Sequence, residues 1–227
     1  MSKDVELVVV QDAEAAAAAT AALLVEAVDA DSSLVLAGGS TPRRAYELAA
    51  ERHSDWGGAE LWYGDDRCVP PGDDRSNQRL VQEALLDRVL VPPAVHAIPT
   101  RLPPSDAAAA YDDELRGQIL DLVLLGLGPD GHTASLFPHA ASLDERDRLA
   151  LAVEPGLGPL VERITLTIPA LAAGGHVVFL AVGEAKADAV RRAFAEEPSA
   201  ATPASLVRSR DGATTAILDE AAAALLP

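Results

Sequence analysis

The chain has 227 residues, 49% of them apolar, and a formal net charge of −17. Length and apolar content suit a single globular domain spanning residues 1–227 and argue against disorder, and no apolar run reaches the roughly 18 residues of a membrane helix. A surface this acidic repels nucleic acid and anionic membranes, whose binding rests on Lys and Arg, so a basic residue inside a motif is more informative here than in a basic protein.

Cys68 is the only cysteine, which excludes an internal disulfide and CxxC-type metal sites. Met1-Ser2-Lys3-Asp4 lacks the basic region and apolar stretch of a secretory signal. The expectation is a cytoplasmic protein, working as a monomer.

In chain order, Val5–Val10 is a β-branched run that predicts a strand. Asp12–Ala27 follows as an alanine-rich helix with Asp12 as its N-cap. Ser33–Ala37 predicts a second strand, ending in Gly38-Gly39-Ser40-Thr41-Pro42, with a helix over Pro42–Ala50. Leu61–Tyr63 reads as a short strand entering a polar loop, Ser76–Val89 as a helix, Val95–Ile98 as a strand and Asp106–Arg116 as a helix. Leu102–Asp106 is polar and proline-rich, as in a surface connection. Leu120–Leu127 is the most hydrophobic run and fits a central strand buried on both faces. It delivers Gly128-Pro129-Asp130-Gly131-His132, with a helix expected to start at the histidine. Strands over Arg163–Thr167 and Val177–Val182, a helix over Glu184–Ala195 and a strand–helix pair, Thr214–Leu218 and Glu220–Leu226, complete the pattern. Strands alternating with helices predict an α/β protein with a mostly parallel sheet covered on both faces.

In open α/β sheets, ligands bind beyond the carboxyl ends of the strands, and four motifs fall there. Gly38-Gly39-Ser40-Thr41 lets backbone amides approach an anion at a helix N-terminus, although a tight turn alone also needs glycine. In Gly64-Asp65-Asp66-Arg67, with Asn77 further on, Arg67 can fork onto phosphate oxygens and Asp65 or Asp66 can hold it or bind hydroxyls. The bland alternative there is a solvated charged loop. Gly128–His132 presents a histidine that titrates near neutrality, with Asp130 close enough to orient it. Lys186 falls in the first turn of a helix, an unfavourable end for a cation unless an anion joins it. His53, His96 and His176 lack ligand spacing and are assigned to surface or loops, and no HxxxH or HExxH pattern suggests a metal. No GxSxG elbow is present, which leaves Ser40 and Ser135 as weak nucleophile candidates.

Together these segments resemble the 6-phosphogluconolactonase family. The resemblance is carried by Leu36-Ala37-Gly38-Gly39-Ser40-Thr41-Pro42, by Gly64-Asp65-Asp66-Arg67-Cys68-Val69-Pro70 with Ser76-Asn77, and by Leu125-Gly126-Leu127-Gly128-Pro129-Asp130-Gly131-His132-Thr133-Ala134-Ser135-Leu136-Phe137-Pro138. Arg163-Ile164-Thr165-Leu166-Thr167 and Gly183-Glu184-Ala185-Lys186 continue it, and Pro203–Val207 closes it. It spans nearly the whole chain. The stretch around His132 is specific, whereas GGSTP is shared with related sugar-phosphate enzymes. One departure is Asp66, where the family usually has Glu, one methylene longer.

The resemblance implies a modified doubly wound sheet with a small added lobe, as in glucosamine-6-phosphate deaminase and ribose-5-phosphate isomerase. It implies hydrolysis of 6-phosphoglucono-1,5-lactone to 6-phosphogluconate in the pentose phosphate pathway, without cofactor or metal. His132 and Asp130 are then the catalytic pair, and Gly38, Gly39, Ser40, Thr41, Asp65, Arg67, Asn77, Gly131 and Lys186 the substrate-binding set. The competing readings are an amino-sugar-phosphate deaminase or isomerase on the same fold, and a non-catalytic sugar-phosphate sensing domain.

Overall fold

The computed structural model describes residues 5–156 and 160–227. Its main sheet has seven strands in the order β1 (Glu6–Val10), β10 (Ala213–Asp219), β9 (His176–Ala181), β6 (Leu122–Gly126), β2 (Ser33–Leu36), β3 (Glu60–Tyr63) and β5 (Ala94–His96). All six pairings are parallel. A second, antiparallel sheet of β4 (Asp65–Arg67), β8 (Arg163–Leu166) and β7 (Ala150–Val153) forms the added lobe.

The central strands are hydrophobic because both faces are covered. Leu34, Val35, Leu36, Val123 and Leu124 are all fully buried. Asp121, which interrupts the apolar run, lies just before β6, and its carboxylate accepts the amide of Ser33 at 2.9 Å, joining the starts of β2 and β6. Helix α1 (Ala13–Asp29) is capped by Asp12, which accepts from the Ala15 amide as the sequence predicts. It buries Ala17, Ala21, Leu24 and Val28, positions spaced along one helical face.

The chain leaves β2 toward β3 and β5 but leaves β6 toward β9 and β10. The gap between β2 and β6 is thus the topological switch point, where a crevice opens beyond the strand ends. Two buried tyrosines fix the strand ends on this side. Tyr46, from α2 (Ser40–Arg52), bonds both the amide and carbonyl of Ala37, at 2.9 and 2.7 Å. Tyr111, from α4 (Pro104–Leu115), does the same for Tyr63, at 2.8 and 3.1 Å.

Several expectations are corrected. No helix begins at His132: Ala134 has φ 48°, and Thr133 Oγ1 and the Ser135 amide bond to Gly126 O and Thr165 Oγ1. The left-handed residue stops the chain from winding, and the Ser135 amide finds its acceptor on the distant strand β8. Asp65–Arg67, expected in a loop, is strand β4, because β8 supplies its ladder. The predicted helix over 76–89 is α3 (Asn77–Ala84), broken at Leu85 and followed by a 3₁₀ turn over Leu86–Arg88. Leu102–Asp106 is not wholly a connection, since α4 starts at Pro104. Residues 220–225 form turns and not a helix, with the Asp219 carboxylate accepting the Ala222 amide. His96 and His176 sit in β5 and β9 and not in loops: His96 stacks on Trp62 at 3.9 Å, and His176 Nε2 lies 2.9 Å from Thr215 Oγ1.

Candidate active site

A cleft of about 270 Å³ opens at the switch point. Its walls are Ala37–Pro42 after β2, Asp65, Arg67 and Asn77 near β4, Gly126–Pro129 and His132 after β6, and Lys186 after β9. The structure thus gathers Gly38, Gly39, Ser40, Thr41, Asp65, Arg67, Asn77, His132 and Lys186 into one place.

His132 and Asp130 form a tight pair, with Nδ1 of the ring 2.6 Å from Asp130 Oδ1, which also accepts the His132 amide at 3.2 Å. Burial pushes the Asp130 carboxyl up, but the His132 charge and these hydrogen bonds outweigh it, and the carboxyl lies below its ordinary value. An ionised Asp130 only accepts, so the proton between them resides on Nδ1, and in the neutral ring this tautomer leaves the lone pair on Nε2. Phe137 packs against the ring, with centroids 5.2 Å apart. Gly128 is needed for this geometry: a Cβ there would lie 2.0 Å from His132 Nδ1.

Asn77 begins α3, whose N-cap Ser76 accepts the amides of Gln78 and Arg79. Its side chain donates to Asp65 O and Oδ1 at 2.8 and 3.0 Å and accepts from Arg67 Nη1 at 2.8 Å. A Cβ on Gly38 would meet Asn77 Oδ1 at 1.9 Å, so glycine lets the β2 loop lie against this network. Arg67 Nη1 also donates to Arg75 O, while its buried Nε has no hydrogen-bond partner among the described residues. Gly39, with φ 107°, turns the chain into α2, whose first amides have no intrahelical acceptor.

Lys186 ends a 3₁₀ turn, Glu184–Lys186, at the N-terminus of α6 (Ala187–Phe194). Asp219 holds this turn by accepting the Gly183 amide at 2.9 and 3.0 Å. Burial lowers the Lys186 ammonium from its ordinary value, with Asp130 pulling the other way.

Arg163 is the site residue that the sequence reading missed. It is 4% exposed, lines the cleft, lies over the Phe137 ring at 5.4 Å, and pairs directly with Arg67 across β4 and β8. Like charges directly opposite are destabilising in a sheet. Burial first, and Arg67 second, lower its affinity for a proton, while Asp65 opposes them. An arginine opening a short β-branched strand, Arg163-Ile164-Thr165-Leu166, was the available signal.

Three expectations change role. Gly131 does not line the cleft: it has φ 94°, and a Cβ there would meet Thr202 Cγ2 at 2.9 Å and Arg192 Nη1 at 3.1 Å. Ser135 is fully buried and donates to Asp65 Oδ2 at 2.5 Å, which fixes Asp65 and makes Ser135 unsuitable as a nucleophile. Asp66, the departure noted above, is fully buried. It accepts the amides of Arg67, Asn77 and Gln78 and the Ser76 hydroxyl, so it shapes the loop. Burial raises its carboxyl above the ordinary value, and those amides oppose the shift.

A switch-point cleft with backbone amides, clustered cations and a carboxylate-held histidine defines an α/β enzyme acting on an anionic metabolite. The sequence profile of the family described as glucosamine-6-phosphate isomerases/6-phosphogluconolactonase matches residues 9–216, and the chain belongs to that family. A 6-phosphogluconolactonase of Streptomyces coelicolor is 39% identical, with 100% of this chain and 97% of that protein aligned. The solved 6-phosphogluconolactonase of Trypanosoma cruzi superposes with a TM-score of 0.86 at 28% identity, covering 100% of this chain and 98% of that one. A monomeric glucosamine-6-phosphate deaminase superposes with a TM-score of 0.85 at 18% identity over 97% and 99% of the two chains, a likeness of fold alone.

Proposed function

We propose that this chain hydrolyses 6-phosphoglucono-1,5-lactone to 6-phosphogluconate, with His132 as the base that activates water. The observation that carries the mechanism is the Asp130–His132 pair, whose imidazole lines a cleft that also holds three cations. Nε2 takes a proton from water as the water oxygen attacks the lactone carbonyl. The ring C–O bond then breaks, and the same proton passes to the departing ring oxygen. A lactone carbonyl is already electrophilic, so no covalent enzyme intermediate is required. General base catalysis of this kind contributes about 10²–10⁴-fold.

Arg67, Arg163 and Lys186, with the amides after Gly38, hold the phosphate and so fix the carbonyl near the water. The Arg67–Arg163 pairing supports this: two guanidinium groups side by side offer an anion charge-assisted contacts from both. In a protein of net charge −17, such a cluster also focuses an anionic substrate onto one spot. The fold is shared with a deaminase, but the 39% identity over the full chain to a 6-phosphogluconolactonase favours the lactonase. The lone cysteine supports a cytoplasmic location.

The test is hydrolysis of freshly prepared lactone, coupled to 6-phosphogluconate dehydrogenase, with spontaneous hydrolysis subtracted. Wild type accelerates the reaction, and His132→Ala lowers kcat by about 10²–10⁴-fold. Acceleration by both proteins would discard the base, and none by wild type would return the deaminase reading.

A further inference from the structure

Arg192, on α6, lies outside the cleft but reaches across to the turn that carries the histidine. Its Nη2 donates to Pro129 O at 3.1 Å, and its Nη1 to Asp130 O at 3.2 Å and Thr202 Oγ1 at 2.8 Å. Its Nε donates to Asp188 Oδ2 at 2.8 Å, one helical turn back, which aims the guanidinium. Gly131 leaves the space: its absent Cβ would stand 3.1 Å from Arg192 Nη1. The same helix carries Lys186 at its N-terminus. One short rigid element thus touches the phosphate clamp at one end and the Asp130 turn at the other.

We propose that Arg192 is a positioning residue for the reaction: by clamping the Pro129–Asp130 backbone to α6, it sets the Asp130–His132 pair in register with Lys186. This rests on His132 being the base. The guanidinium fork suits the task, because it reaches two successive carbonyls and a hydroxyl from one fixed plane. The turn has other supports: the Gly131 amide donates to Gly128 O, the Gly128 amide to His132 O and the Ala204 amide to Gly131 O. Loss of Arg192 therefore loosens the turn without unfolding it, and Pro129, exposed, can turn its carbonyl to water.

The experiment measures kcat, KM and Tm for wild type, His132→Ala, Arg192→Ala, Arg192→Lys, Asp130→Asn and the double variant Arg192→Ala/Asp130→Asn. Arg192→Ala is expected to lower kcat about tenfold with KM within about twofold, the split of a group acting on the chemical step. Arg192→Lys keeps the stem and charge but not the fork, and should show the same split. It decides the matter if Arg192→Ala fails to fold. In the Asp130→Asn background, Arg192→Ala should cost less than about twofold more, because the two changes disable one unit. Wild-type kcat in Arg192→Lys, or effects that multiply in the double variant, would overturn the proposal and leave the base assignment standing. Wild-type rates in Asp130→Asn and His132→Ala would remove the base and this proposal with it.

Discussion

Asp130→Asn removes one charge and almost no volume, and so isolates what the carboxylate does for His132. In the wild type, Nδ1 and Oδ1 are 2.6 Å apart, and the side chains are 24% and 30% exposed. As Nε2 gains a proton, the ring becomes cationic and its bond to Asp130 becomes one between two charged groups. Hydrogen bonds involving charge contribute about 1.5–3 kcal/mol, against about 0.5–1.5 for neutral ones. Partial exposure screens the pair and favours the lower part of that range. The loss falls on the transition state, so kcat should drop about tenfold at about 1.4 kcal/mol per decade. Asp130 does not line the cleft, so KM should stay within about twofold. The coupled assay at neutral pH, with the spontaneous rate subtracted, reads both constants. A raised KM with unchanged kcat would refute the reasoning, because the carboxylate would then act on binding and not on the imidazole.

Arg67→Ala and Arg163→Ala should each raise KM about tenfold or more with a smaller effect on kcat, by loss of a charge-assisted contact; unchanged KM in initial-rate measurements would misplace the phosphate. Lys186 carries a lowered pKa in the free protein, and a phosphate favours its charged form. Affinity for 6-phosphogluconate, read by calorimetry, should therefore fall with rising pH before an ordinary lysine would titrate, and Lys186→Arg should remove that dependence. Gly128→Ala places a Cβ 2.0 Å from His132 Nδ1 and should drive the ring off Asp130, lowering kcat; retained activity would show that the close approach is dispensable. The depressed Asp130 carboxyl adds stability above its unfolded pKa of about 3.9, and this is lost as pH falls through the lower folded value. Thermal unfolding of wild type should accordingly lose its margin over Asp130→Asn in acid; a margin independent of pH would contradict the linkage.

The local sequence determined much of this protein. Alternating apolar runs and helical stretches specified the parallel sheet, Asp12 the start of α1, and the glycine turns the strand ends where the cleft opens. These are short-range signals: periodicity, caps and backbone freedom act over a few residues. Which distant segments meet was decided only in the tertiary structure. Arg67 and Arg163 become neighbours through the β4–β8 ladder, and that pairing turned an expected loop into a strand. Ser135 became the support of Asp65, and the segment after His132 gave up a helix for bonds to Gly126 and Thr165. Asp66 looked like a site residue beside Arg67, yet buried amides from α3 claim it. Arg192 drew no notice in the sequence, because an arginine on an amphipathic helix reads as solvated surface. Only the approach of α6 to the Pro129–Asp130 turn gives its guanidinium acceptors. Backbone groups can be satisfied by local or by distant partners, and where a distant partner is better placed, local propensity yields.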